Sequence, residues 1–73
     1  MKITYDDIAD ALYIQFQPES KIKETVKIRE GILCDVSKGG KIFGIEILDV
    51  SRRLPIEELG RVSIDIPVHA VAS

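Results

Sequence analysis

Hydrophobic and polar positions alternate along this chain in short runs separated by turn residues, which is the two-residue period of β-strands. "KITY" at Lys2–Tyr5 forms the first run, and Asp6–Asp10 breaks it. Ala11–Phe16 follows, with Leu12, Ile14 and Phe16 on one face and Ala11, Tyr13 and Gln15 on the other. "QPES" is a loop, because Pro18 cannot donate to a ladder. Ile22–Arg29 puts Ile22, Glu24, Val26 and Ile28 on one side and Lys23, Thr25, Lys27 and Arg29 on the other. A tight turn at Glu30–Gly31 leads into Ile32–Val36, and "SKGG" supplies a glycine hairpin turn before Lys41–Val50. The period then changes. Pro55, Glu57, Glu58 and Gly60 are placed as for the start and stop of a short helix near residues 55–59. "RVSIDIP" returns to alternation, with Val62, Ile64 and Ile66 on one face, and predicts a last strand.

The sum is a mainly β (α+β) fold. It is a small antiparallel sheet of about six short strands built from hairpins, with one short helix near the C-terminus. Residues 1–73 form a single small domain, with 67–73 as a loosely held extension. The fifth run is the most apolar and carries apolar residues on both faces except at Glu46. Such a strand is expected in the centre of a sheet, covered on both sides. The short helix is the candidate cover for one face and a second subunit for the other.

Size makes that second subunit matter. A core of 73 residues contributes only a few kcal/mol net, so small domains commonly need a staple or a partner. One cysteine excludes a disulfide, and one Cys with one His excludes a four-ligand Cys/His metal site. A homodimer is therefore expected. The net charge of −2 gives no general attraction to nucleic acid or to an acidic membrane surface. The absence of a long apolar run argues against a membrane span, and a lone thiol fits a cytoplasmic setting.

Two blocks, "YDDIADALYIQF" and "GILCDVSKGGKIFGIEILDVSRRL", resemble domain of unknown function 2283, a family of short prokaryotic proteins. The family's pattern runs roughly Y-D-x-x-x-D-A-L-Y-I, then a strand and a glycine hairpin, then G-I-E-I-L-x-x-S. The likeness covers roughly residues 3–54. Cys34 stands where an aliphatic residue is common, and the C-terminal strand exceeds the short members. The resemblance transfers no catalytic residue. Some members lie beside genes for small toxin-like proteins, which implies an antitoxin-like or interaction role.

Three groups of residues invite a chemical reading. Asp6, Asp7 and Asp10 spell D-D-x-x-D, with which prenyl-diphosphate enzymes hold magnesium. That use requires a helix that brings i and i+4 to one face, and a second acidic motif. On a strand reversal the same residues become turn caps, Asp6 on one side and Asp10 bracing the other. Glu46 is the acid in the most apolar run; buried, it would need a partner and would become a candidate general acid or base. Exposure or a cross-strand ion pair is the simpler reading. Gly44, two residues before it, leaves room for an aromatic ring or for the partner of Glu46. Cys34 shares a face with Ile32 and Val36 and is expected as a buried small hydrophobe. The basic residues Lys23, Lys27 and Arg29 offer a surface for phosphates, although lysines on an edge strand also deter edge pairing.

These readings favour a non-enzymatic interaction module that self-associates and binds a small protein partner. No cofactor, metal or catalytic residue is assigned to it, and nucleic acid and membrane are not its expected partners. A first alternative is a small enzyme or ligand binder in which Asp6, Asp10 and Glu46 converge. It requires two of those carboxylates within about 5 Å in a concave site. A second alternative is a weak nucleic-acid binder.

Overall fold

The computed structural model of the chain describes residues 1–67. It contains five strands: β1 (Lys2–Asp6), β2 (Ala11–Gln15), β3 (Ile22–Arg29), β4 (Ile32–Ser37) and β5 (Ile42–Leu48). They form one sheet in the order β1-β2-β5-β4-β3, every neighbour antiparallel. Three hairpins join strands that follow each other in sequence, and the β2–β5 pairing joins the two halves. The most apolar strand, β5, therefore lies in the middle. In the β4–β5 turn, Gly39 and Gly40 have φ of 90° and 77°, a conformation other residues rarely adopt. There the Ser37 N–H donates to the Lys41 carbonyl.

The register sorts the side chains onto two faces. Tyr5, Leu12, Ile47 and Ile32 form one cross-strand row, and Ile3, Ile14, Ile45, Cys34 and Val26 form the next. This face is apolar. The opposite face carries Thr4, Tyr13, Glu46, Leu33 and Lys27 in one row, and Lys2, Gln15, Gly44, Asp35 and Thr25 in the next. Burial is sparse on both. Leu12, Cys34, Phe43 and Val50 are the buried apolar residues among those described, and Val50 alone is fully enclosed.

The polar face is closed over its middle by one ring. Tyr13 lies across Gly44, and its hydroxyl donates to Asp35 Oδ2 at 2.7 Å; Thr25 Oγ1 donates to Asp35 Oδ1 at 2.6 Å. The Tyr13–Asp35–Thr25 chain thus links β2, β4 and β3, and passes over β5 where β5 has no side chain.

Several sequence expectations are corrected. The described residues hold five strands and not six. Residues 61–67 are irregular, because an alternating segment becomes a strand only when a neighbour supplies a ladder. The expected helix is a 3-10 helix, η2 (Ile56–Gly60), too short to complete α-helical turns; Pro55, with ψ of 123°, stands before it and not in its first turn. It buries no residue and covers no face of the sheet. The fifth strand stops at Leu48. Asp49 turns the chain with φ of 53°, a conformation that aspartate tolerates, and Val50–Arg52 forms a second 3-10 helix, η1. In β3, bulges between Ile22 and Glu24 and between Lys27 and Arg29 break the simple alternation. Of the extension expected over 67–73, only Pro67 is described, and His69 lies outside the described residues.

The close approach at Gly44 gives a first prediction. A Cβ at residue 44 would run into the ring and hydroxyl of Tyr13, so Gly44→Ala is expected to cost about 1–3 kcal/mol in urea unfolding. In a Tyr13→Ala background, where the ring is absent, the same substitution is expected to cost little.

Candidate functional site

The aspartates of the first hairpin form a clasp. Asp6 Oδ1 accepts the N–H groups of Ile8 and Ala9, both at 3.0 Å, which closes the reversal. Asp10 has φ of 53°, and its carbonyl accepts the Val50 N–H. Its carboxylate accepts the Tyr5 hydroxyl at 2.8 Å, the Ser51 N–H at 3.0 Å and the Ser51 hydroxyl at 2.7 Å. The β1–β2 turn is thereby tied to η1, forty-one residues further along the chain. Arg53 continues the seam: its Nε donates to the Leu48 carbonyl at 2.9 Å and its guanidinium to the Glu30 carbonyl at 2.8 Å.

The bonds from Ser51 and Tyr5 favour the charged carboxylate of Asp10 and hold its pKa below the usual value. The same contact raises the pKa of Tyr5, because the hydroxyl proton is engaged and an anion beside Asp10 is disfavoured. Tyr13 is raised far more, first by burial and then by its bond to Asp35, with the Glu46 charge nearby adding to both. Neither phenol is a ready base or nucleophile near neutral pH. Both serve as donors that fix a carboxylate.

Asp10 and Glu46 do not converge. Asp10 turns toward Tyr5, which belongs to the apolar face, whereas Glu46 is half-buried on the polar face between Tyr13 and Leu33. Among the described residues no three His, Cys, Asp or Glu side chains are placed to share a metal ion. Asp35 is the acid that sequence reasoning overlooked. Its signal was its position in "ILCDV", one residue off the apolar phase of Ile32, Cys34 and Val36 and opposite a glycine. The basic residues are also divided. Lys27 pairs with Leu33 and Arg29 with Ile32, so the bulge sets them on opposite faces; Lys23 lies in the other bulge, and Lys27 bonds Glu30.

What remains open is the apolar face. Ile3, Phe16 and Val26 are 36–44% exposed, and Ile14, Ile32, Ile45 and Ile47 are half-buried.

A family model described as "Protein of unknown function (DUF2283)" matches residues 2–51, and the chain belongs to that family. No curated protein and no solved structure matches it. The matched span ends at Ser51, the residue that closes the Asp10 clasp.

The clasp predicts an acid dependence. A carboxylate whose folded pKa is lowered contributes stability that is present above its unfolded value near 3.8 and is lost as pH falls through the lower folded value. Urea unfolding of the wild type at pH 7 and pH 3 should therefore show a drop that shrinks in Asp10→Asn. An equal drop in both chains would remove Asp10 from the acid response.

Proposed function

We propose that this DUF2283 protein is a non-enzymatic interaction module of the cytoplasm that self-associates through the apolar face of its sheet. The observation that carries the reading is the apolar row Ile3, Ile14, Ile45, Cys34 and Val26, whose ends Ile3 and Val26 are exposed and over which no second sheet or α-helix lies among the described residues. On the polar face the Tyr13 and Thr25 hydroxyls are both engaged by Asp35, which supports binding over catalysis. No helix among the described residues is long and apolar enough to cross a membrane. The buried, unpaired thiol of Cys34 suits a reducing compartment. The antitoxin-like role implied by the family would use this same face, with a small protein in place of the second copy.

Sedimentation equilibrium tests the reading. The wild type is expected to run as a dimer at micromolar concentration. Ile3→Glu, which places a charge on the exposed rim of the apolar face, should shift it to monomer. Thr4→Glu, one residue along and on the opposite face, should leave the dimer intact. A wild-type monomer at all accessible concentrations would reject self-association.

A further inference from the structure

We infer that the β1–β2 turn of one copy seats in a lysine-rimmed pocket of a second copy, with the Ile8 side chain inside and the aspartates around it against the lysines. This rests on the self-association proposed above and identifies the contact that orients the two copies. The turn is the first half. Ile8 is 95% exposed, the most exposed of the large apolar side chains described. Residues 6–10, "DDIAD", carry net charge −3 and hold no basic residue. Asp6 closes the turn through the Ile8 and Ala9 amides, and Asp10 is held by Tyr5 and Ser51, so the tip has a fixed shape. Asp7 is exposed and enters none of the bonds that hold the turn.

The pocket is the second half. Its volume is about 370 Å³, and among the described residues Lys21, Ile22, Lys23 and Lys38 line it. The lining is mainly hydrocarbon, from Ile22 and the lysine stems, which leaves three ammonium groups at its margin. Glu19 and Glu24, the nearest acids in the sequence, are not among these lining residues. An apolar floor ringed by three cations fits an aliphatic group flanked by carboxylates. Among the described residues, only 6–10 offers an almost fully exposed aliphatic side chain with acids on both sides.

Tip and pocket lie at diagonal corners of the sheet. The turn follows β1, one edge strand, and stands at the end where β5 finishes. The pocket lies at the start of β3, the other edge strand, beside the β4–β5 turn. One chain therefore cannot fill its own pocket. Two copies with their apolar faces together fill both at once if the two-fold axis runs between the sheets, perpendicular to that diagonal. Five strands with gaps of ~4.8 Å make the sheet roughly 19 Å wide, and central strands of six and seven residues make it roughly 20–23 Å long. In a sheet so nearly square, that axis crosses the strands of the two copies at close to a right angle, one of the two arrangements in which sheets stack.

Sedimentation equilibrium of charge-reversal variants tests the contact. Asp7→Lys and Lys38→Glu, both at exposed turn positions, should each weaken the dimer by about tenfold or more, because like charges then meet at both pockets. An equimolar mixture of the two variants should recover wild-type affinity, since the mixed dimer pairs opposite charges at both contacts. A chain carrying both changes should recover it as well. Ile8→Ser should weaken the dimer and leave the circular dichroism spectrum unchanged, because Ile8 is almost fully exposed in its own chain. If Asp7→Lys and Lys38→Glu leave the dimer unchanged while Ile3→Glu dissociates it, the corner contact is wrong and the sheet-face association stands. If each weakens the dimer but their mixture does not recover, the two charges do not meet and the inference fails. A wild type that is monomeric at all accessible concentrations removes both readings.

Discussion

A single sheet has two faces and only one layer, and everything else in this protein follows from that constraint. Apolar side chains on one face leave water only when a second layer meets them. Among the described residues no helix provides that layer: η2 buries nothing, and η1 contributes chiefly Val50 at one end. The polar face is finished with materials from the sheet itself, a Tyr13 ring laid across Gly44 and two hydroxyls on Asp35. The apolar face has no equivalent. Tyr13, Thr25 and Asp35 satisfy one another across the polar face, while Ile3, Phe16 and Val26 stay exposed on the apolar one.

The two tyrosine–aspartate contacts divide the labour of holding such a thin structure. Tyr13–Asp35–Thr25 is a transverse tie across four strands and acts against shear between the β1–β2 and β3–β4 hairpins. Tyr5–Asp10–Ser51 is a longitudinal tie that fixes the end of the sheet to the turn that follows β5. Side-chain bonds of this kind specify register, because each donor meets its acceptor in only one alignment. In both, the side chains that resemble catalytic residues in isolation are occupied by structural bonds. That is a physical reason to look for function in surface shape and apolar exposure, not in proton transfer.

Much of the sheet was legible in the sequence because a two-residue period survives wherever one face differs from the other. The five strands, the glycine turn, the central place of β5 and the ring-sized gap at Gly44 all follow from local pattern. What escaped was set by partners far away in sequence. Asp35 looked unremarkable until Tyr13 was brought over Gly44 from another strand. The basic row of β3 looked continuous because bulges at Lys23 and Ile28 leave no mark in composition. Glu46 drew notice for its apolar neighbours, yet those neighbours point the other way. Residues 61–67 have the pattern of a strand, but pattern is only half of a strand, and the described chain holds no ladder partner for them.

The position of that segment is itself governed by the clasp. Asp10 holds Ser51, the turn of η1 carries Arg53 to the Glu30 carbonyl, and only then does the chain depart. Each bond removes a direction in which residues 54–67 could leave the sheet. An unconstrained segment would sample a wide volume, and ordering it against any surface would carry the cost of a long flexible loop. Anchored through Arg53, it begins beside the end of β3. The aspartate cluster that looks like a metal motif in one dimension thus acts as a hinge plate. It determines where the C-terminal segment leaves the sheet.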